Sequence, residues 1–251
     1  MKKPRSEPRE LEVIKSKIIS QNMLRVTLGG TGMENFPEEF EGGYVKLRLT
    51  GKDEKEVVTR TYTIRNQRNN EIDVDFVLHG RNGGPASRWA VKCKKGDRIL
   101  IGGPGPRTIV DSSMDWILIV GDMTALPAIS VNIGQLLPET VGYIIIEIFD
   151  EADIQALQVP DGVKLEWLVN PEPGKNSTVL ADFVRKLDWL DGQVSAWVAC
   201  EFSSMRNLRD HLQDVRQLKK ENLYISSYWK LGSNEESHRE AKLEDRQATR
   251  L

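Results

Sequence analysis

The sequence predicts two domains: an antiparallel β-barrel over residues 1–108 and a doubly wound α/β domain with a parallel sheet over 109–232, followed by a charged tail or helix at 233–251. Two changes of texture carry this division. Up to about Arg107, apolar residues alternate with polar ones in short segments, which is the pattern of half-buried antiparallel strands. Beyond it the apolar residues gather into compact runs separated by helix-like stretches, as in a parallel sheet covered on both faces.

In the first half the alternation is clearest at Val45/Leu47/Leu49 and at Ile72/Val74/Phe76/Leu78, with turns expected at Gly29-Gly30 and Gly42-Gly43. The run Ile101-Gly102-Gly103-Pro104-Gly105-Pro106 is expected to break any regular element and so to mark the boundary. In the second half the buried strands are Trp116–Val120, Tyr143–Ile146, Leu165–Val169, Val194–Ala199 and Leu223–Ile225. Helices are expected near 124–137, 177–190 and 203–220. Residues 233–251 are almost wholly polar and read as a solvated helix or a disordered tail with no catalytic role.

A chain of 251 residues with a formal net charge of -2 has no global attraction for nucleic acid or an anionic membrane. The two cysteines, Cys93 and Cys200, form no CxxC pair, and His79, His211 and His238 lack metal-ligand spacing, so neither a structural disulfide nor a zinc site is expected. No apolar h-region follows the basic N-terminus and no run approaches the ~18 residues of a membrane span. A cytoplasmic monomer is expected.

One strand, three turns and one chain segment carry candidate chemistry. Arg60 and Tyr62, two apart on a strand, project to one face, where an aromatic wall and a phosphate-binding cation suit a flavin; Thr63 adds a hydrogen bond. Gly83-Gly84-Pro85-Ala86-Ser87 opens a helix at Arg88-Trp89-Ala90, and its free N–H groups and dipole suit a pyrophosphate. Gly121-Asp122-Met123-Thr124-Ala125 follows an apolar strand, where α/β sheets bind nucleotides; a capped strand-to-helix connection explains it as well. The turn after Cys200 offers Arg206 and Arg209 to a phosphate, against a reading as solvated helix residues. Tyr228-Trp229-Lys230 suits a flavin cap, an anion contact or an aromatic plug.

In the order Arg60-Thr61-Tyr62-Thr63-Ile64-Arg65, Asp73–Gly80, Gly84–Ala90, Gly121–Ile129 and Tyr228–Gly232, the chain resembles the siderophore-interacting protein family of the ferredoxin-reductase-like superfamily. The resemblance implies an FAD-binding barrel, an NAD(P)H-binding-like α/β domain, and a flavin at their junction. It further implies that Arg60, Tyr62, Thr63, Ile64, Val77, His79, Gly84, Pro85, Ala86, Ser87, Asp122, Thr124, Ala125, Tyr228 and Trp229 bind cofactor. Lys46 and Lys230 would attract an anionic ferric siderophore. The implied activity is reduction of Fe(III) in the chelate, with NADH, NADPH or ferredoxin as donor and FAD carrying the chemistry, so that no protein nucleophile is needed. A general flavin-dependent NAD(P)H:acceptor oxidoreductase and a non-catalytic siderophore carrier are the competing readings. For NADP specificity, Arg206, Arg209 and Lys175 are the candidate cations.

Overall fold

The computed structural model describes residues 7–51, 56–79 and 83–248, and it divides into two units, Met1–Thr108 and Ile109–Leu251. The first unit is a curled antiparallel sheet of seven strands: β1 (Arg9–Ser20), β2 (Met23–Gly29), β3 (Tyr44–Thr50), β4 (Val57–Thr63), β5 (Asn66–Arg68), β6 (Glu71–Val77) and β7 (Arg98–Gly105), in the order β4-β3-β7-β1-β2-β6-β5. Tyr62 on edge strand β4 nevertheless touches Phe76 on β6, with ring centroids 4.5 Å apart. The sheet therefore curls until its two ends approach, enclosing Val26, Leu47, Ile64, Ile72, Val74, Phe76 and Ile101. Helix α1 (Pro85–Lys92) adds Ala86 and Ala90 to that core, with Trp89 packed against it.

The glycine-rich run at 101–106 does not end regular structure, contrary to the sequence expectation: β7 continues through it to Gly105. The reason is tertiary. The ring of Tyr44 lies where a side chain at 105 would stand, 2.1 Å from an added Cβ, so only glycine lets the strand run beneath it. A register shift between Tyr44 and Lys46 absorbs the irregularity.

The second unit holds five parallel strands, β8 (Trp116–Asp122), β9 (Gly142–Ile148), β10 (Val163–Val169), β11 (Val194–Glu201) and β12 (Leu223–Trp229), in the order β10-β9-β8-β11-β12. Every residue of β8, β9 and β11 is buried, which explains their unbroken apolar runs. Helices α2 (Leu126–Ile133), α3 (Val179–Val184) and α4 (Phe202–Arg209) are shorter than the expected stretches, and α4 runs on into a π-helical turn, Asp210–Val215.

The charged C-terminal segment forms a helix, α5 (Glu235–Ala248), and it is anchored rather than merely solvated. Ala241 packs into the core, His238 Nε2 meets Ser227 Oγ at 2.8 Å, and Asp245 binds Arg209. Among the described residues no helix is long and apolar enough to cross a membrane.

Candidate functional site

In the first unit, the β3–β4 register sets which side chains share a face. Val45 lies opposite Tyr62 and Leu47 opposite Arg60, so the buried Val45 and Leu47 put Arg60 and Tyr62 on the core-side face. Tyr62 then begins an aromatic series, since Phe76 lies 5.7 Å from Trp89 by ring centroids. The Arg60 guanidinium donates to its neighbour's carbonyl, Thr59 O, at 2.7 Å. Thr63 is half-buried, Ile64 is wholly buried in the core, and Val77 ends β6 just before the exposed His79.

Lys46 lies opposite Thr61, on the other face of β3 with the exposed Arg48. The structure thus separates Lys46 from the face that presents Arg60 and Tyr62. Alternation alone could have shown this, because Val45 and Leu47 flank Lys46.

The N-terminus of α1 has features an anion requires. No side chain caps it, its first turn carries no acid, and Pro85 begins the helix. A Cβ added at Gly84 would meet nothing within 4 Å, so the approach to the Ala86 and Ser87 backbone is open, although both of those side chains are buried. Gly80, Arg81 and Asn82 lie outside the described residues.

A charge network behind this region escaped the sequence reading. Asp75 on β6 accepts from Arg25 at 2.6 and 2.8 Å, and Asp73 accepts from Thr27, Asn66 and Arg68. Burial acts to raise the Asp73 pKa, but these hydrogen bonds, led by Arg68, outweigh it and hold the carboxyl below its ordinary range. Arg65, the last residue of the 60–65 run, is lowered by burial and donates to Asn66 Oδ1 at 3.0 Å.

In the second unit, acids stand at the carboxyl ends of three neighbouring strands, each buried: Asp122 and Glu201 are the last residues of β8 and β11, and Glu147, opposite Asp122, is the last but one of β9. Asp122 accepts from the Thr124 amide at 2.9 Å, the Thr124 hydroxyl at 2.5 Å and Trp229 Nε1 at 2.8 Å. Glu201 accepts from the amides of Ser203, Ser204 and Leu231. Glu147 takes one hydrogen bond, from Asn170 Nδ2 at 2.9 Å, and its Oε2 is buried without a partner. Burial, reinforced by the charges of Asp122 and Glu201, pushes Glu147 up to about 7. The signal available in the sequence was an acid at or next to the end of an apolar strand, seen in Asp122, Glu147 and Glu201 alike.

The connection from β10 to α3 crosses this carboxyl edge of the sheet. It starts at Asn170 beside Glu147, and its Gly174 backs onto Glu201 and Leu231. Asp122 holds the turn through the amide and hydroxyl of Thr124, but neither residue caps α2 as the sequence allowed: the cap position falls on Ala125, which is fully buried and has no side-chain hydrogen bond to offer. Trp229 is tied to Asp122, Tyr228 packs edge-on against Trp197, and Lys230 sits 4.9 Å over the Phe202 ring. Burial, then the three carboxylates, push the Cys200 thiol well up, which disfavours thiolate chemistry. Arg209 binds Asp245, with Arg206 on the same carboxylate at 3.4 Å. Among the described residues no group of acids, histidines and cysteines is placed to hold a metal ion.

Residues 114–232 match the family model "Siderophore-interacting protein", and residues 49–108 match "Siderophore-interacting FAD-binding domain". The chain is 34% identical over 257 residues to the ferric vibriobactin reductase ViuB of Vibrio cholerae serotype O1, covering 94% of each chain. It is 24% identical to the NADPH-dependent ferric-chelate reductase of Escherichia coli strain K12, covering 88% of this chain and 92% of that one. The crystal structure of the siderophore-interacting protein SipS from Aeromonas hydrophila superposes with a TM-score of 0.85 at 30% identity, covering 96% of this chain and 98% of that one.

Proposed function

Because the chain belongs to the siderophore-interacting protein family, we propose that it is an FAD-dependent reductase acting on Fe(III) in ferric siderophores, with NAD(P)H or reduced ferredoxin as donor and Fe(II) released in the cytosol. The observation that carries this reading is the pairing, within one unit, of the Arg60–Tyr62 face with the open, uncapped N-terminus of α1.

These residues fit FAD. The amides of Ala86 and Ser87 would take the pyrophosphate, and Arg60, whose guanidinium holds a backbone carbonyl, would exchange that contact for a phosphate. Tyr62 would cover a ring face, Thr63 would bind its polar edge, and Ile64, Val77, His79, Gly84 and Pro85 would shape the backbone around it. Bound FAD supplies the conversion from a two-electron donor to a one-electron acceptor. In the second unit, Asp122, Thr124, Ala125, Tyr228 and Trp229 would frame the carboxyl edge against a dinucleotide.

Lys46 and Lys230 act in this reading by steering. Lys46 shares its sheet face with Arg48 rather than with Tyr62, and exposed cations are screened over ~8 Å at physiological ionic strength. Anionic ferric chelates would be drawn broadly rather than clamped, and the protein would work as a monomer. Fe(II) leaves because hard oxygen donors hold it less tightly than Fe(III).

The test is anaerobic spectroscopy of the FAD-loaded protein, reduced with dithionite and mixed with a ferric siderophore and a ferrous trap. Flavin reoxidation with trap colour is the expected result. A flavin that stays reduced, or a protein that binds no FAD, refutes the reductase reading.

A further inference from the structure

The carboxyl edge of the second unit carries a strap made of the chain itself. The strand order reverses between β8 and β11, which is the place where open α/β sheets receive ligands. The connection from β10 to α3 begins at Asn170 beside Glu147 on β9 and reaches Glu201 on β11 at Gly174. Since β8 lies between β9 and β11, the strap passes over the end of β8 and covers the switch point. Gly174 has a φ of +85°, and a Cβ added there would stand 3.1 Å from Leu231 Cβ and 3.3 Å from Glu201 Cγ, a close seat that suits glycine.

The strap is fastened at both ends. At its start Asn170 Nδ2 donates to Glu147 Oε1 at 2.9 Å and to Asn176 O at 3.2 Å, while Asn170 Oδ1 accepts from the Glu172 amide at 3.3 Å. At its far end Asn207 Nδ2 on α4 donates to Ser177 O at 3.0 Å. Glu147 thus reaches the strap through the one residue that also folds it.

That carboxyl is 2% exposed, and its Oε2 is buried without a partner. The charged groups facing it are Asp122 from β8 and Glu201 from β11; the Cys200 thiol nearby stays protonated, and on the strap Glu172 and Lys175 pair with each other. A third carboxylate here would be buried beside two others with one hydrogen bond to hold it, so the neutral form fits the site. Burial and those two charges push Glu147 up to about 7.

We propose that Glu147 is a positioning residue that latches the strap: with its proton it accepts Asn170 and holds the strap over the switch point, and without it the strap is released and the edge opens. That the open edge admits a nicotinamide donor rests on the reading of the chain as a flavin reductase. Released into water the carboxyl titrates near the ordinary 4.5, and latched near 7, so the released form gains on the latched one as pH rises between those values.

The experiment is hydrogen exchange of the Glu172, Lys175 and Asn176 amides in the FAD-loaded protein at pH 5.5 and 7.5, with and without mild urea, for the wild type, Glu147→Gln and Asn170→Ala. Wild-type protection, corrected for the intrinsic rate, should fall more than about tenfold between the two pH values and be unmoved by urea, because the opening is local. Glu147→Gln keeps the acceptor for Asn170 and should abolish the fall; Asn170→Ala should be unprotected at both. Equal wild-type protection at the two pH values, a fall that grows with urea or persists in Glu147→Gln, or an Asn170→Ala strap as protected as the wild type overturns the latch. The wild-type comparison needs no variant to fold. In stopped flow, Asn170→Ala should speed flavin reduction by NADH or NADPH severalfold at pH 5.5, and no gain with either donor overturns the covering role. The dithionite reaction with ferric siderophore, run on the same preparations, shows separately whether the reductase reading itself has failed.

Discussion

Replacing Glu147 by glutamine should reverse the sign of its effect on stability between acid and alkaline pH. Burial raises this carboxyl from 4.5 to about 7, against a single hydrogen bond from Asn170. The unfolded chain releases the proton near the ordinary value and the folded chain holds it until about 7, so folding becomes less favourable as pH rises through that window. A difference of about 2.5 pKa units corresponds to about 3 kcal/mol. Stability from the protonated form is whole below pH 4.5 and lost once pH passes about 7. Glutamine keeps the acceptor for Asn170 and carries no charge, but it strands an amide N–H where Oε2 has no partner, at a cost of about 1–3 kcal/mol. The variant should therefore be the less stable protein at pH 5 and equal or superior at pH 8. Urea unfolding read by tryptophan fluorescence suits the measurement, because Trp116, Trp167, Trp189, Trp197 and Trp229 lie in the second unit and only Trp89 in the first. Parallel stability curves for wild type and variant across pH 5–8 would refute the reasoning.

Three further outcomes are expected. Asp75→Ala leaves the part-buried Arg25 guanidinium without its carboxylate and should cost about 3 kcal/mol in denaturant unfolding; a loss under about 0.5 kcal/mol would mean that Arg25 finds water instead. Gly105→Ala drives a methyl into the Tyr44 ring and should destabilise the first unit by about 1–3 kcal/mol, with Tyr44→Ala relieving much of it in the double variant; additive losses would exclude the clash. His238 is lowered to about 4, by burial first and then by Lys242 and Lys230, so its contribution holds above pH 6.5 and fades as pH falls toward about 4. Hydrogen exchange of α5 amides should then lose protection at pH 4.5 relative to pH 7 beyond the intrinsic rate change, and unchanged protection would show that the Ser227–His238 contact does not anchor the helix.

The strands were legible where burial is all or half: the runs at 116–120 and 143–146 become β8 and β9 because both sheet faces are covered, and the alternation at 45–49 becomes β3, buried on one face only; β6 alternates in sequence yet is buried on both faces, because Asp73 and Asp75 are paired with arginines. What local pattern could not reveal were features set by distant neighbours. The continuation of β7 through glycines depends on Tyr44, sixty-one residues earlier, and the anchoring of α5 depends on polar contacts through His238, Lys242 and Asp245 rather than on an apolar stripe. Arg60 and Tyr62 share a face as their spacing implied, and Lys46 turns away from the core as its place between Val45 and Leu47 implied, whereas the pairing of Val45 with Tyr62, which sets the two strands' faces against each other, required the register. The acids Asp122 and Glu201 are visible in the sequence at the ends of apolar strands, but what they hold is not, because their donors include the Trp229 indole and the Leu231 amide from a distant segment.

Those two carboxylates also determine how a ligand would be received. Asp122 ties the end of β8 to Thr124 and to Trp229 on β12, and Glu201 ties the end of β11 to the start of α4 and to Leu231. Loops that in many proteins settle only around a bound molecule are here immobilised by folding itself, through anions that face inward. A dinucleotide arriving at that edge has little backbone entropy left to remove, so its contacts translate into affinity with small loss to ordering. The edge is thus ordered before any ligand reaches it, by the hydrogen bonds that join β8 to β12 and β11 to α4.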